Sequence, residues 1–161
     1  VGEEGVDLGG VTRIGIISDT HGLLRPGVAD LFANVDHILH AGDVGGEHVL
    51  RALRELAPVT YVGGNNDDGS DGLDIVRVTL GGVRILLTHI LPKPETPRAA
   101  VLASLKKQPA DAVVFGHSHL PCNEVIRGVT FFNPASAGPK RFKNPVLVGL
   151  LDDGVFRHLS L

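Results

Sequence analysis

Gly15-Ile16-Ile17-Ser18-Asp19-Thr20-His21-Gly22 sets the pattern of this chain: an apolar run that stops on two metal-competent side chains spaced i, i+2. A short run rich in β-branched residues has the mark of a buried strand. The same ending recurs four more times. His37-Ile38-Leu39-His40-Ala41 runs into Gly42-Asp43, and Val59 to Val62 into Gly63-Gly64-Asn65-Asn66-Asp67. Ile85-Leu86-Leu87-Thr88 runs into His89, and Val113-Val114-Phe115 into Gly116-His117-Ser118-His119. In open α/β sheets the C-terminal ends of the strands share one edge, and ligands bind in the crevice there. Residues far apart in sequence are therefore expected to converge.

Outward from these runs, strands and helices alternate and then give way to hairpins. Strands are expected over 11–17, 37–40, 59–62, 74–80, 83–88 and 112–115. The C-terminal third reads as β, with strands at 123–127, 129–132, 146–151 and 155–161. Helices are expected over 26–33, opened by Pro26, over 47–56, with an apolar stripe at Val49, Leu50, Leu53 and Leu56, and over 97–107. Gly81-Gly82 and Asp153-Gly154 are hairpin signals. Such an order of βα units followed by hairpins predicts a mixed sheet system covered by helices.

The 161 residues make one ordinary domain, and 43% apolar content supplies a core without disulfide staples. Residues 11–161 are expected to form that domain, with residues 1–10, VGEEGVDLGG, as a flexible tail. That tail has no apolar segment resembling a signal peptide, no run approaches the ~18 apolar residues of a membrane span, and a cytoplasmic location follows as the expectation. Net charge is −3, so no bulk positive field exists to hold nucleic acid or an anionic bilayer. With six Phe, one Tyr and no Trp, a stacking platform for single-stranded bases is poorly supplied. Eight His against one Cys exclude a thiolate-rich zinc site but leave nitrogen and oxygen ligation open.

Taken singly, most of these features have plain explanations. Asp-x-His after a strand is commonly a turn, Gly42-Asp43 a helix cap, and Gly64-Asn65-Asn66-Asp67 a turn sequence. Jointly, at five strand ends, they form a donor inventory of Asp19, His21, Asp43, Asn65, His89, His117 and His119. In an extended segment residues i and i+2 face the same way, so Asp19 with His21, and His117 with His119, are expected to present their donors as pairs. Seven donors suit two ions sharing a carboxylate. Imidazole and carboxylate without thiolate fit manganese, iron, zinc, cobalt or nickel better than magnesium or calcium. His37, His40, His48 and His158 lack partners at such spacing and are read as structural or surface residues.

The ordered set Asp19-x-His21, Gly42-Asp43, Gly64-Asn65, His89 and Gly116-His117-x-His119 resembles the calcineurin-like metallophosphoesterase superfamily, over about residues 12–160. Its start, Ser18-Asp19-Thr20-His21-Gly22, is similar to the compact YfcE-type prokaryotic phosphodiesterases. The resemblance implies a four-layer α/β/β/α sandwich of two mixed sheets flanked by helices, with a dinuclear site at one edge. It implies two divalent transition-metal ions per chain, manganese first, with nickel, zinc, iron or cobalt as alternatives. Asp19, His21 and His119 would hold one, Asn65, His89 and His117 the other, and Asp43 would bridge them. The implied reaction is hydrolysis of a small phosphodiester through in-line attack by a hydroxide bridging the two metals.

Two positions depart from the family's pattern. Where many members carry a His after the metal-binding Asn, this chain has Asn66, which can hydrogen-bond an oxygen but cannot be a general acid. This disfavours phosphomonoester hydrolysis more than diester hydrolysis. Asn66 and Asp67 are the expected catalytic residues beside the metals, with Asp67 orienting its loop. Asn133-Pro134-Ala135-Ser136 stands where the family has Asn-Pro-Gly-Ser, and Asn66, Asn133 and Arg141 are the expected substrate-binding residues. The alternatives are a non-catalytic protein-binding scaffold of the same fold, a phosphomonoesterase and a nuclease. Basic clusters only at Lys106-Lys107 and Lys140-Arg141 with Lys143 disfavour a nucleic-acid partner. A membrane partner is not expected, and self-association is open.

Overall fold

The computed structural model describes residues 6–8, 10–91 and 99–161. Among the described residues, eleven strands and three helices follow in the order β1 (Val6–Leu8), β2 (Arg13–Ile17), α1 (Gly27–Leu31), β3 (His37–His40), α2 (Glu47–Arg54), β4 (Val59–Tyr61), β5 (Ile75–Leu80), β6 (Val83–Thr88), α3 (Ala99–Lys107), β7 (Ala112–Val114), β8 (Pro121–Ile126), β9 (Val129–Pro134), β10 (Leu147–Asp152) and β11 (Val155–Ser160). They form two mixed sheets, one of six strands in the order β1-β5-β6-β7-β9-β8 and one of five in the order β11-β10-β2-β3-β4.

Side-chain alternation along the strands builds the layers. Ile14 and Ile16, Leu39, Ile85 and Leu87, Ala112 and Val114, Phe132 and Leu151 meet in one core between the two sheets. The alternate residues Ile17, Ile38, Val148 and Leu150 face the other way, onto Val28 and Phe32 of the α1 region and Val49, Leu50 and Leu53 of α2. On the far side Leu86, Val113 and Phe131 pack against Val101 of α3. The result is the expected four-layer α/β/β/α sandwich. Phe132, fully buried between the sheets, is the kind of side chain whose truncation to Ala costs about 3–5 kcal/mol.

The sheets place one edge of the molecule for chemistry. β2, β3 and β4 run parallel as neighbours, as do β6 and β7, so the loops leaving these five strands emerge together. One expectation needs correction. Val6–Leu8, read as part of a loose tail, is a strand that pairs in parallel with Val78–Leu80 of β5. Three residues alternating apolar and polar are too short to announce a strand; only the free edge of β5 recruits them. The start of the expected helix at Pro97 lies outside the described residues.

Candidate metal centre

All seven donor side chains lie at the edge where these five strands end. The five-stranded sheet contributes Asp19, His21, Asp43 and Asn65, and the six-stranded sheet His89, His117 and His119. His89 follows β6 directly, with Nδ1 2.6 Å from the Ala41 carbonyl, which turns Nε2 inward. There Nε2 lies 3.3 Å from Asp43 Oδ2 and 3.1 Å from Asn65 Oδ1. His117 Nδ1 is also 3.1 Å from Asn65 Oδ1. On the other flank, His21 Nε2 lies 3.4 Å from His119 Nε2 and 3.7 Å from Asp43 Oδ2, and His119 Nε2 lies 3.2 Å from Asp19 Oδ1. Asp43 Oδ2 therefore faces both flanks.

Backbone conformation, rather than extended spacing, brings the donors together. Asp19, His21, Asp43, His117 and His119 have φ of 55°, 47°, 53°, 73° and 63°. They are five of the nine non-glycine residues with positive φ among the described residues. Residues held in this left-handed region cost about 1–3 kcal/mol each and persist where the surroundings over-determine them. The expectation that Asp19 with His21 and His117 with His119 sit on extended segments is thus corrected. Asp19 and His21 converge, with His21 Nε2 3.9 Å from Asp19 Oδ1, whereas the curl at His117 and His119 sends the first to Asn65 and the second to Asp19 and His21. The curl is held by backbone bonds from Asp19 N to Gly42 O, His21 N to Asp43 O and Gly22 N to Val44 O, at 2.9–3.0 Å. Two glycines make room: a Cβ on Gly64 would strike the Asp43 carboxylate and amide, and one on Gly116 the Ser18 hydroxyl and Asp19.

The donor chemistry fits cations. Asp19 is buried, and its Oδ2 accepts from the Ser18 hydroxyl at 2.6 Å and from the His117 amide at 3.1 Å. Its Oδ1 is buried without an aligned hydrogen-bond donor, although His119 Nε2 lies 3.2 Å away. An orphaned buried carboxylate oxygen is costly unless something positive meets it. The facing ring nitrogens of His21 and His119 pose the same demand, since two lone pairs need a shared cation or proton between them. Asp19, His21 and His119 form one group with metal-ligand spacing, and Asp19, Asp43 and His89 a second that shares Asp19. Burial alone would raise the Asp43 carboxyl, but His89 and the Asn66 bonds hold it well below its ordinary range. Asp19 is likewise lowered, with His119 and Ser18 outweighing burial. Burial lowers His21 against the pull of Asp43 and Asp19, and lowers His117 with help from His89. Burial also opposes the charged form of His89, yet the neighbouring Asp43 and Asp19 raise it overall. The centre thus holds ionised carboxylates among imidazoles, as ligation of a divalent ion requires.

Beyond this geometry, the profile of the calcineurin-like phosphoesterase superfamily domain matches residues 12–153. The chain belongs to the calcineurin-like phosphoesterase superfamily. A probable metallophosphoesterase of Methanocaldococcus jannaschii is 34% identical over 140 residues, covering 80% of this chain and 70% of its own. Among solved structures of this fold, the YfcE phosphoesterase from E. coli has a TM-score of 0.68 at 29% identity, over 89% of this chain and 90% of that one. An archaeal phosphodiesterase has a TM-score of 0.75 at 24% identity, over 92% and 99%. Vps29 from Entamoeba histolytica complexed with zinc shares the fold, with a TM-score of 0.69 at 22% identity, over 92% and 98%.

Around the seven donors, the remaining expected residues divide. Asn66 touches the centre: its backbone amide donates to Asp43 Oδ1 and its side-chain amide to Asp43 Oδ2, both at 2.9 Å. Asp67 instead accepts from the amides of Val44, Gly45 and Gly64 at 2.9–3.0 Å, tying the Asp43 and Asn65 loops together. Arg141 is exposed and close enough to His21 to disfavour its protonation. Asn133 is corrected from the substrate-binding set. It is fully buried, donating to Gly116 O and Ser118 Oγ and accepting from the Ala135 amide, so its amide shapes the His117 loop.

Two of the histidines read as structural or surface residues support the donors. His40 is fully buried, with Nε2 2.9 Å from Thr20 Oγ1, and Nδ1 accepts from the Gly42 amide at 3.1 Å. Thr20 spends its proton on Val44 O, so His40 carries its hydrogen on Nε2 and is neutral. Burial pushes its pKa down to about 4. His48 Nε2 lies 2.8 Å from Gly22 O. The signal for His40 was its place three residues before Asp43, on a strand buried on both faces.

Proposed function

We propose that this protein is a metal-dependent phosphodiesterase working with two divalent ions, manganese first among them. The observation that carries the reading is the placing of Asp43 Oδ2 between His21 Nε2 and His89 Nε2, beside the orphaned Asp19 Oδ1. Asp19, His21 and His119 would hold one ion, Asn65, His89 and His117 the other, and Asp43 both. Bound there, two such ions supply a water acidified toward neutral pH and positive charge for a phosphoryl group in line with it. Ala41 fixes the His89 ring through Nδ1, Ser18 and the His117 amide fix Asp19, and Asn66 fixes Asp43. Arg141, exposed and close enough to His21 to act on its charge, would meet a phosphate oxygen in this reading. Asn66 lacks a proton to give a poor leaving group, which favours diesters with acidic leaving groups over monoesters. Residues 11–161 act as one catalytic domain in this reading, and the substrate is small. No helix among the described residues is long and apolar enough to cross a membrane, and a cytoplasmic setting is part of the proposal.

The test is turnover of bis-p-nitrophenyl phosphate by the full chain across manganese, nickel, zinc, iron and cobalt. Metal-dependent release of nitrophenol, lost in Asp43→Asn and far slower with p-nitrophenyl phosphate, is expected. Absence of turnover with every metal would overturn the enzyme reading in favour of a protein-binding scaffold.

A further inference from the structure

A cavity of about 460 Å³ opens beside Asn66, the residue that holds Asp43. Its size falls in the roughly 300–1,000 Å³ range of small-ligand sites. Val44 and Leu50, both buried, give it an apolar floor. Tyr61 forms a wall; it lies on β4, the edge strand of its sheet, and is 43% exposed. The ionisable groups lining the cavity besides Tyr61 are all acidic: Glu47, Asp67 and Asp68. Glu47 is paired with Arg54 at 2.7 Å, and Asp67 is taken up by three backbone amides. Asp68 lines the same cavity as Tyr61 and is exposed, so its charge is available to an occupant.

These features select by charge. A second phosphate or carboxylate would meet net negative potential, whereas an ammonium group gains from a carboxylate and from the face of an aromatic ring. We infer that this cavity is a subsite for a cationic alcohol arm of the diester, its ammonium group lying against Tyr61 with Asp68 beside it. The inference rests on the phosphodiesterase reading for the role of the arm, but the binding itself can be measured separately. Tyr61 is the single tyrosine of a chain without tryptophan, so intrinsic emission reports from this wall alone.

Choline titrated into the full chain, with and without added manganese, is expected to change Tyr61 emission saturably. Binding should weaken at least tenfold in Asp68→Lys and less in Asp68→Asn. Its uncharged isostere, 3,3-dimethyl-1-butanol, should bind at least tenfold more weakly than choline. Equal binding of the two, or no effect of Asp68→Lys, overturns the inference. Competition by glycerophosphocholine or by phosphatidylcholine vesicles separates a soluble diester from a lipid headgroup, and competition by neither also overturns it. In turnover, Asp68→Lys should raise KM for p-nitrophenyl phosphorylcholine while leaving ethyl p-nitrophenyl phosphate unchanged. If choline binds but no diester turns over, the catalytic reading fails and the subsite stands. If diesters turn over and choline leaves Tyr61 unmoved, the subsite fails alone.

Discussion

The two flanks of the donor cluster are not alike. Asp19, His21 and His119 combine a buried carboxylate with two imidazoles, and Asp19 and His119 are both out of solvent. On the other flank His89 is equally buried, but Asn65 and His117 are exposed, and the oxygen donor is a neutral amide. One flank therefore has its own formal negative charge in a poorly solvated place, while the other depends on the Asp43 carboxylate it shares. The difference teaches that two similar sets of ligands need not bind equally: the Asp19 flank should fill first and the Asn65 flank second.

Asp19→Asn should break this asymmetry most severely. Deleting a buried charge among imidazoles costs about 3–5 kcal/mol, so calorimetric titration with manganese should lose its tighter event and diester turnover should fall accordingly. Retention of the tight event would show that the Asp19 flank is not its source.

Both flanks lean on His40, which binds Thr20 between the Asp19 and His21 donors and the Gly42 amide next to Asp43. Its pKa is about 4 in the fold against 6.5 when unfolded. Between those values the unfolded chain binds more protons, so stability falls as pH drops from about 6.5 and levels off below about 4. Urea unfolding of the metal-free chain at pH 7 and pH 4.5 should show His40→Gln losing roughly 2–3 kcal/mol less than the wild type over that interval. Equal losses would exclude a buried neutral His40.

Asn66→Ala tests what the flanks share. Removing an outer partner of a metal-binding carboxylate costs about 10- to 100-fold in affinity or activity, and here both binding events should weaken because Asp43 Oδ2 faces both. The smallest change is expected from Asn65→Asp. A charge added to the weaker flank should tighten only the second event, by about tenfold or roughly 1.4 kcal/mol. Tightening of the first event instead would reverse the assignment of the flanks.

Much of this arrangement was legible beforehand because strand ends are local features. Runs such as Ile85 to Thr88 announce their own burial, and parallel strands must end on a common edge. The seven donors could therefore be gathered from their positions alone. Asn133 was misread because its sequence context, a polar residue before Pro134, is the same whether its amide faces a cleft or ties Gly116 and Ser118 together. His40 and His48 read as structural or surface residues, but their ties to Thr20 and Gly22, twenty or more residues away, leave no mark on local spacing. Val6–Leu8 depended on the vacancy at the edge of β5.

By itself, then, the sequence determined the kinds of donor, their order and the strands that carry them, since side-chain chemistry and apolar periodicity are properties of neighbouring residues. Tertiary structure alone decided the left-handed turns at Asp19, His21, Asp43, His117 and His119, the orphaned oxygen of Asp19 and the acidic cavity beside Asn66. Each of these is set by what a distant segment presses against, and the free energy that holds five unfavourable backbone conformations comes from packing two sheets together.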